Sequence, residues 1–247
     1  MNTKTQRRLT AVLVLLLSAL PAMSCELEAF TAHYAVSNDQ LDLGQSTLRV
    51  EVDQDNWTMV FDTRAEGLLA LIGGGDARET SHGSCALSQE NGYEIVTERY
   101  EYTRMQGRKE DRLQAQFNRS AGNVEMRRNQ ESATKIPMDG PVFDAQSVIL
   151  QVISRLASGT WRDSSMHIFY KGKIREYLFS AGQSQRLTIA ANEFETTRIV
   201  RRRDGGKRET HIWFAKDNSW IPVQIEQFKN GKLSLRLRLV SYRADSA

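Results

Sequence analysis

An alternation of period two runs through almost the whole chain, and it constrains the fold more than any single motif. Phe30, Ala32, Tyr34 and Val36 are apolar at every second position, as are Leu48, Val50 and Val52, then Trp57, Met59 and Phe61 beyond the turn Asp53 to Asn56. Successive side chains of a strand point to opposite faces, so each stretch predicts a strand with one buried and one solvated face. Further strands are predicted near Ser81 to Leu87, Tyr93 to Met105, Leu113 to Phe117, Val124 to Arg128, Met166 to Tyr170, Ile174 to Ala181, Arg186 to Ala190 and Phe194 to Arg202. Late in the chain Thr210, Ile212 and Phe214 alternate, Val223 and Ile225 follow, and Asn230-Gly231 supplies a favoured two-residue hairpin turn. Beyond it Leu233, Leu235, Leu237 and Leu239 alternate with Ser234, Arg236 and Arg238.

Short turns between these segments predict antiparallel neighbours, because a parallel return needs a crossover of about a dozen residues or more. The expected fold is therefore mainly β: one long antiparallel meander whose accumulated twist curls it into a half-barrel, barrel or β-spiral. One segment breaks the period. From Asp144, apolar Val148, Ile149, Val152, Ile153 and Leu156 repeat at helical spacing, with Asp144 as a candidate N-terminal cap and Gly159 beyond the end. Its single apolar stripe predicts an amphipathic helix lying on the concave face of the sheet.

The first two dozen residues predict where the protein works. Lys4, Arg7 and Arg8 precede the apolar run Ala11 to Leu17, and small residues follow to Ser24, the three-part plan of a secretory signal peptide. The run is shorter than the ~20 residues a membrane-spanning helix needs. The expected organisation is a signal peptide over residues 1–24 and a single β-rich periplasmic domain over 25–247, peripheral to the membrane at most. Three of the chain's 33 Lys and Arg lie in the leader, leaving 30 to balance 30 Asp and Glu. A neutral domain lacks the basic footprint of a nucleic-acid binder.

Cys25 and Cys85 are the only cysteines, and export favours their pairing. Closing that loop stabilises a fold by roughly 4 kcal/mol in the chain-entropy account. The competing use of Cys25 is a lipid-modified first residue: Ser24 suits lipoprotein processing, Ala22 does not, and lipidation leaves Cys85 without its partner.

Reactive constellations are not evident. His33, His82, His167 and His211 are scattered, without the short spacings of a metal site. No nucleophile elbow, phosphate loop or His-Glu-x-x-His pattern occurs, and Gly73 to Gly75 lacks the Lys-Ser/Thr ending of a phosphate loop. The expectation is no catalytic residue, no metal and no cofactor.

Two features fit binding. Leu68, Leu69, Leu71 and Ile72 beside three glycines form a candidate apolar lid over an acyl-binding cleft, or else a core-capping turn. Arg201, Arg202, Arg203, Lys207 and Arg208 surround Asp204-Gly205-Gly206 and are candidate contacts for anionic headgroups, or else a solvated hairpin end. Trp213 and Tyr34 are read as core aromatics rather than a ligand-stacking box.

Several stretches together resemble an exported bacterial family, domain of unknown function 3108. They are Phe30 to Tyr34, Glu66 to Ala70, Arg78 to Ser81, Asp144 at the head of the helix, Trp213 to Lys216, and Ile221 to Val223. The resemblance spans nearly all of the chain after the leader. It implies a Gram-negative periplasmic protein with a curved antiparallel sheet, more loosely similar in shape to envelope lipoprotein carriers, whose half-barrels hold acyl chains against a helix. It brings no established catalytic residues. The expectation is a non-enzymatic envelope protein that binds a lipid, lipoprotein or other hydrophobic partner in an apolar groove. The alternatives are a scaffold that binds envelope proteins through its sheet and a hydrolase of envelope polymers.

Overall fold

The computed structural model describes residues 27–67, 75–88, 92–203 and 205–245. The leader, Cys25 and the lid residues Leu68, Leu69, Leu71 and Ile72 lie outside them. The first half of the chain is a meander of eight strands: β1 (Phe30–Ser37), β2 (Asp42–Asp53), β3 (Asn56–Ala65), β4 (Ala77–Ser88), β5 (Gly92–Gln106), β6 (Lys109–Asn118), β7 (Asn123–Arg128) and β8 (Thr134–Pro137). Then come β9 (Val142–Asp144), the helix α1 (Ser147–Ala157), and the strands β10 (Ser164–Tyr170), β11 (Lys173–Ile189), β12 (Asn192–Arg202), β13 (Arg208–Ala215), β14 (Ile221–Lys229) and β15 (Lys232–Ala244). All fifteen strands form one sheet, in which β15 pairs with β1 and so joins the two halves side by side.

Strands form where the alternation predicts them, and most run longer than their apolar repeat. Asn230 and Gly231 both adopt positive φ in the β14–β15 turn, as the hairpin chemistry requires. Three departures have physical causes. Ile174 to Ala181 and Arg186 to Ala190 are one strand, because a bulge between Ala181 and Ser184 carries the pairing through a polar stretch. The short strands β8 and β9 have no apolar repeat of their own. One neighbour pair is parallel, β9 with β10, and α1 is its crossover.

The sheet overlaps itself instead of closing edge to edge. Ile168 of β10 belongs to the main core, whereas its neighbour Phe169 belongs to a second core with Tyr100, Leu113, Phe117 and Val124. Phe169 meets Tyr100 and Phe117 edge-on, at 6.3 and 5.8 Å between ring centres. With apolar partners on both faces, β10 and β9 are tucked inside the concave surface of β4 to β7, which makes the sheet a spiral.

α1 lies within that concavity and is more deeply buried than a one-stripe helix. Nine of its eleven residues are buried, all but Arg155 and Ala157. Its polar stripe, Ser147, Gln151 and Ser154, docks on β5 beyond the point where β6 stops pairing. Thr97 Oγ1 donates to Ser147 Oγ at 2.8 Å, the Ile95 N–H donates to Gln151 Oε1 at 2.9 Å, and Ser154 Oγ donates to the Tyr93 carbonyl at 3.2 Å. The helix thus covers the part of the β5 edge that would otherwise carry unpaired backbone groups. Asp144 ends β9 rather than occupying the cap position, which belongs to Gln146, but its carboxylate still serves the helix start. Asp144 Oδ1 accepts the N–H groups of Gln146 and Ser147 at 2.7 and 3.0 Å and the Ser81 hydroxyl at 2.8 Å.

Candidate functional site

Inside the spiral the side chains of the main core leave a lumen of about 230 Å³. Its apolar wall includes Leu48, Ile149, Ile168, Ile212, Ile225 and Leu237, contributed by β2, α1, β10 and β13 to β15. These are the inward positions of alternating strands, so the same pattern that builds the sheet makes the chamber apolar. The mouth lies where the β12–β13 and β14–β15 hairpins end, beside the β10–β11 turn. It is lined by Glu79, Tyr170, Tyr177, Arg201, Arg208 and Gln227.

The β11 bulge decides which arginine enters the mouth. On β12 the buried positions are Phe194 and Thr196, then Ile199; opposite the bulge the inward face changes parity. Arg201 therefore lies two positions from Ile199 on the inner side, whereas a strict alternation from Phe194 would turn Arg202 inward. Arg201 Nη2 donates to the Thr210 hydroxyl at 3.2 Å, and its guanidinium sits 5.7 Å from the centre of the Tyr177 ring. No carboxylate among the described residues forms an ion pair with it. Burial pulls its pKa below the ordinary arginine value, opposed by Tyr177, Tyr170 and Glu79.

The predicted cationic cluster is thus divided by the fold. Arg201, half-buried, and Arg208, exposed, line the mouth, whereas Arg202, Arg203 and Lys207 are exposed outside it. Arg203 borders a separate depression on the outer surface with Arg175, Glu176 and Leu178. Sequence reasoning found the segment but not the choice among its members, and it missed Tyr170, Tyr177 and Glu79, which come from distant strands.

The carboxylates at the mouth are engaged. Glu79 Oε2 accepts the Tyr100 hydroxyl at 2.6 Å, and Glu209 lies 3.3 Å from His211 Nε2. Burial first, then Glu79, pushes the Tyr100 hydroxyl pKa far up, so it stays a donor. Glu79 and Tyr170 also border a second cavity of about 380 Å³, with Tyr102, Arg104, Asp111 and Arg128 around it. Gly75, which follows the candidate lid segment, is part of that cavity's wall.

The other polar groups of the interior are structural. Asp144 is fully buried, and burial raises its pKa to about 6 against the opposing bonds from Ser147, Ser81 and Gln146. Tyr34 donates to the Pro222 carbonyl at 2.7 Å, and Trp213 is 5 % exposed, so both are core aromatics as expected. Cys85 packs against the main core from β4, and no cysteine among the described residues is free. Among the described residues no group of His, Cys, Asp and Glu has the arrangement of a metal site, and no helix is long and apolar enough to cross a membrane.

The fold has a solved counterpart. A β-barrel-like protein of the DUF1849 domain of unknown function, from Brucella abortus, superposes with a TM-score of 0.59 at 12 % identity, covering 89 % of this chain and 99 % of that one. No curated protein sequence matches this chain. The family described as "Protein of unknown function (DUF3108)" matches residues 29–238, from just before β1 into β15. The spiral sheet, the helix led by Asp144 and that match place the chain in the DUF3108 family.

Proposed function

We propose that this protein is a non-enzymatic component of the bacterial envelope that holds a hydrophobic ligand in its lumen. One observation carries the reading: a chamber of about 230 Å³, walled largely by buried apolar side chains of the main core, lies inside the spiral. Protein interiors keep few voids larger than a water molecule. A chamber of this size among buried apolar side chains, open at one end, gives room for an apolar occupant.

The leader over residues 1–24 supports export to the periplasm, and the half-buried, non-free Cys85 supports a bridge to Cys25. Intact mass of the exported chain decides between bridge and lipid anchor, since acylation adds several hundred daltons and a disulfide removes two protons. Native mass spectrometry after gentle purification tests the main reading. A bound apolar species released on unfolding is the expected result, and a uniformly empty chain that takes up no apolar probe would overturn it. Crosslinking in intact cells separates this role from scaffolding, because a carrier captures lipid and a scaffold captures one specific protein.

A further inference from the structure

The lumen and the mouth together say more about the occupant than the lumen alone. A chamber of about 230 Å³ lies below the roughly 300 to 1,000 Å³ of pockets that take bulky ligands. Its occupant must therefore be small, of the volume of one short alkyl chain, which excludes a bundle of lipid tails. Near α1 the wall is mainly apolar, with Ile149, Ile168 and Leu237 facing the chamber from three elements and Gln146 at the head of the helix the polar member.

The mouth carries the opposite chemistry. Of the five N–H donors of Arg201, one is bound to Thr210, and the guanidinium has no carboxylate partner among the described residues. Two other half-buried arginines do have carboxylate partners: Arg236 Nε meets Glu226 at 2.7 Å, and Arg128 meets Asp111 through two bonds at 3.0 and 2.6 Å, whereas Arg201, like Arg155 on α1, forms no ion pair among the described residues. Glu79 shares the mouth but accepts the Tyr100 hydroxyl, so no carboxylate among the described residues bonds the guanidinium directly, and a desolvated cation is costly until a ligand supplies such a bond. Arg208, exposed at the same rim, adds a second cation with no ion pair among the described residues, while Glu79 and Glu209 are held by Tyr100 and His211. The planar fork of Arg201, backed by the Tyr177 ring, suits a carboxylate or phosphate that reaches it from the apolar side.

We propose that the lumen takes a single-chain amphiphile with an anionic head, a carboxylate or a phosphate monoester. Its chain lies against Ile149, Ile168 and Leu237, and its head is bound by Arg201 at the mouth. This inference rests on the ligand-carrying reading above and names the class of ligand.

The test is calorimetric titration of the delipidated mature protein with decanoate, decyl phosphate, decanol and inorganic phosphate. Charge-assisted pairing predicts that both anionic amphiphiles bind about 10- to 100-fold more tightly than decanol. In Arg201→Gln that advantage disappears while decanol binding is unchanged, and Arg201→Lys restores part of it for decyl phosphate. Equal affinity of decanoate and decanol for the native protein, or undiminished decanoate binding by R201Q, overturns the head-group assignment and leaves apolar carriage standing. Inorganic phosphate binding as tightly as decyl phosphate overturns the amphiphile in favour of a free-anion site. Failure of every alkyl probe, decanol included, sinks the carrier reading itself. Ile149→Phe narrows the chamber and is expected to weaken decanol and decanoate alike; thermal melting verifies that each variant is folded.

Discussion

The polar stripe of α1 and the guanidinium of Arg201 face the same apolar interior, and the fold treats them in opposite ways. Ser147, Gln151 and Ser154 are matched one by one to Thr97, Ile95 and Tyr93 of β5, and Asp144 gathers three donors at the helix start. Arg201 has one hydrogen bond, to Thr210, and the face of Tyr177, with no carboxylate bonded to it among the described residues. The bonds of Ser147, Gln151 Oε1, Ser154 and Asp144 Oδ1 hold the helix in place, with only Asp144 Oδ2 and Gln151 Nε2 of these groups left unpartnered in the core, whereas Arg201 opens onto the mouth. A buried polar group is therefore informative through its unused bonds more than through its mere presence.

Removing Asp144 is the most damaging way to probe the closed side of this comparison. Asp144→Ala strands the Ser81 hydroxyl and two backbone N–H groups, and it is expected to cost on the order of 3 to 5 kcal/mol in urea unfolding. Asp144→Asn keeps an acceptor and is expected to lose less. Acidity probes the same group without mutation. Its folded-state pKa is raised from 3.8 to about 6, so the folded protein takes up a proton that the unfolded chain does not. That contribution is complete below about pH 4 and is lost as pH rises through about 6. The stability of the native protein relative to Asp144→Asn is then expected to fall by on the order of 2 to 3 kcal/mol between pH 4 and 7.5. A flat difference across that range would show that the carboxylate is not desolvated.

Gln151→Leu is gentler. It orphans the Ile95 N–H but also removes the unpartnered Gln151 Nε2, for an expected loss of about 1 to 2 kcal/mol. Arg201→Met belongs at the end of the series: because burial already disfavours its charge, melting is expected to stay the same or rise slightly. A loss as large as that of Asp144→Ala would place Arg201 among the structural groups and erase the contrast.

Most of the sheet is legible in the sequence because a strand with one wet face writes its burial in every second residue. Phe30 to Val36 and Leu233 to Leu239 read this way without ambiguity, and the Asn230-Gly231 turn fixes their neighbours' direction. β8 and β9 are not legible, since four and three residues are too few to show a period. The deep burial of α1 was hidden by its own polar stripe, which reads as solvent-facing until β5 is seen to supply partners. The family is legible in short segments spread from Phe30 to Val223, and the match over residues 29–238 bears it out. The site is legible only in part. Five cations in one segment stand out, but the inward choice of Arg201 depends on a bulge in the neighbouring strand, and no local pattern at residues 201–208 encodes it.

The seam between β1 and β15 sets how the molecule can assemble. Thr31 and Asp245, bonded across it, are 214 positions apart, whereas nearly every other neighbouring pair of strands is a local hairpin. Each half can zip up early from short-range contacts, and the joining of the two is the entropically expensive, late event. Until then β1 and β15 each present a raw strand edge, so the interval before they meet is when this chain is most exposed to pairing with the wrong neighbour.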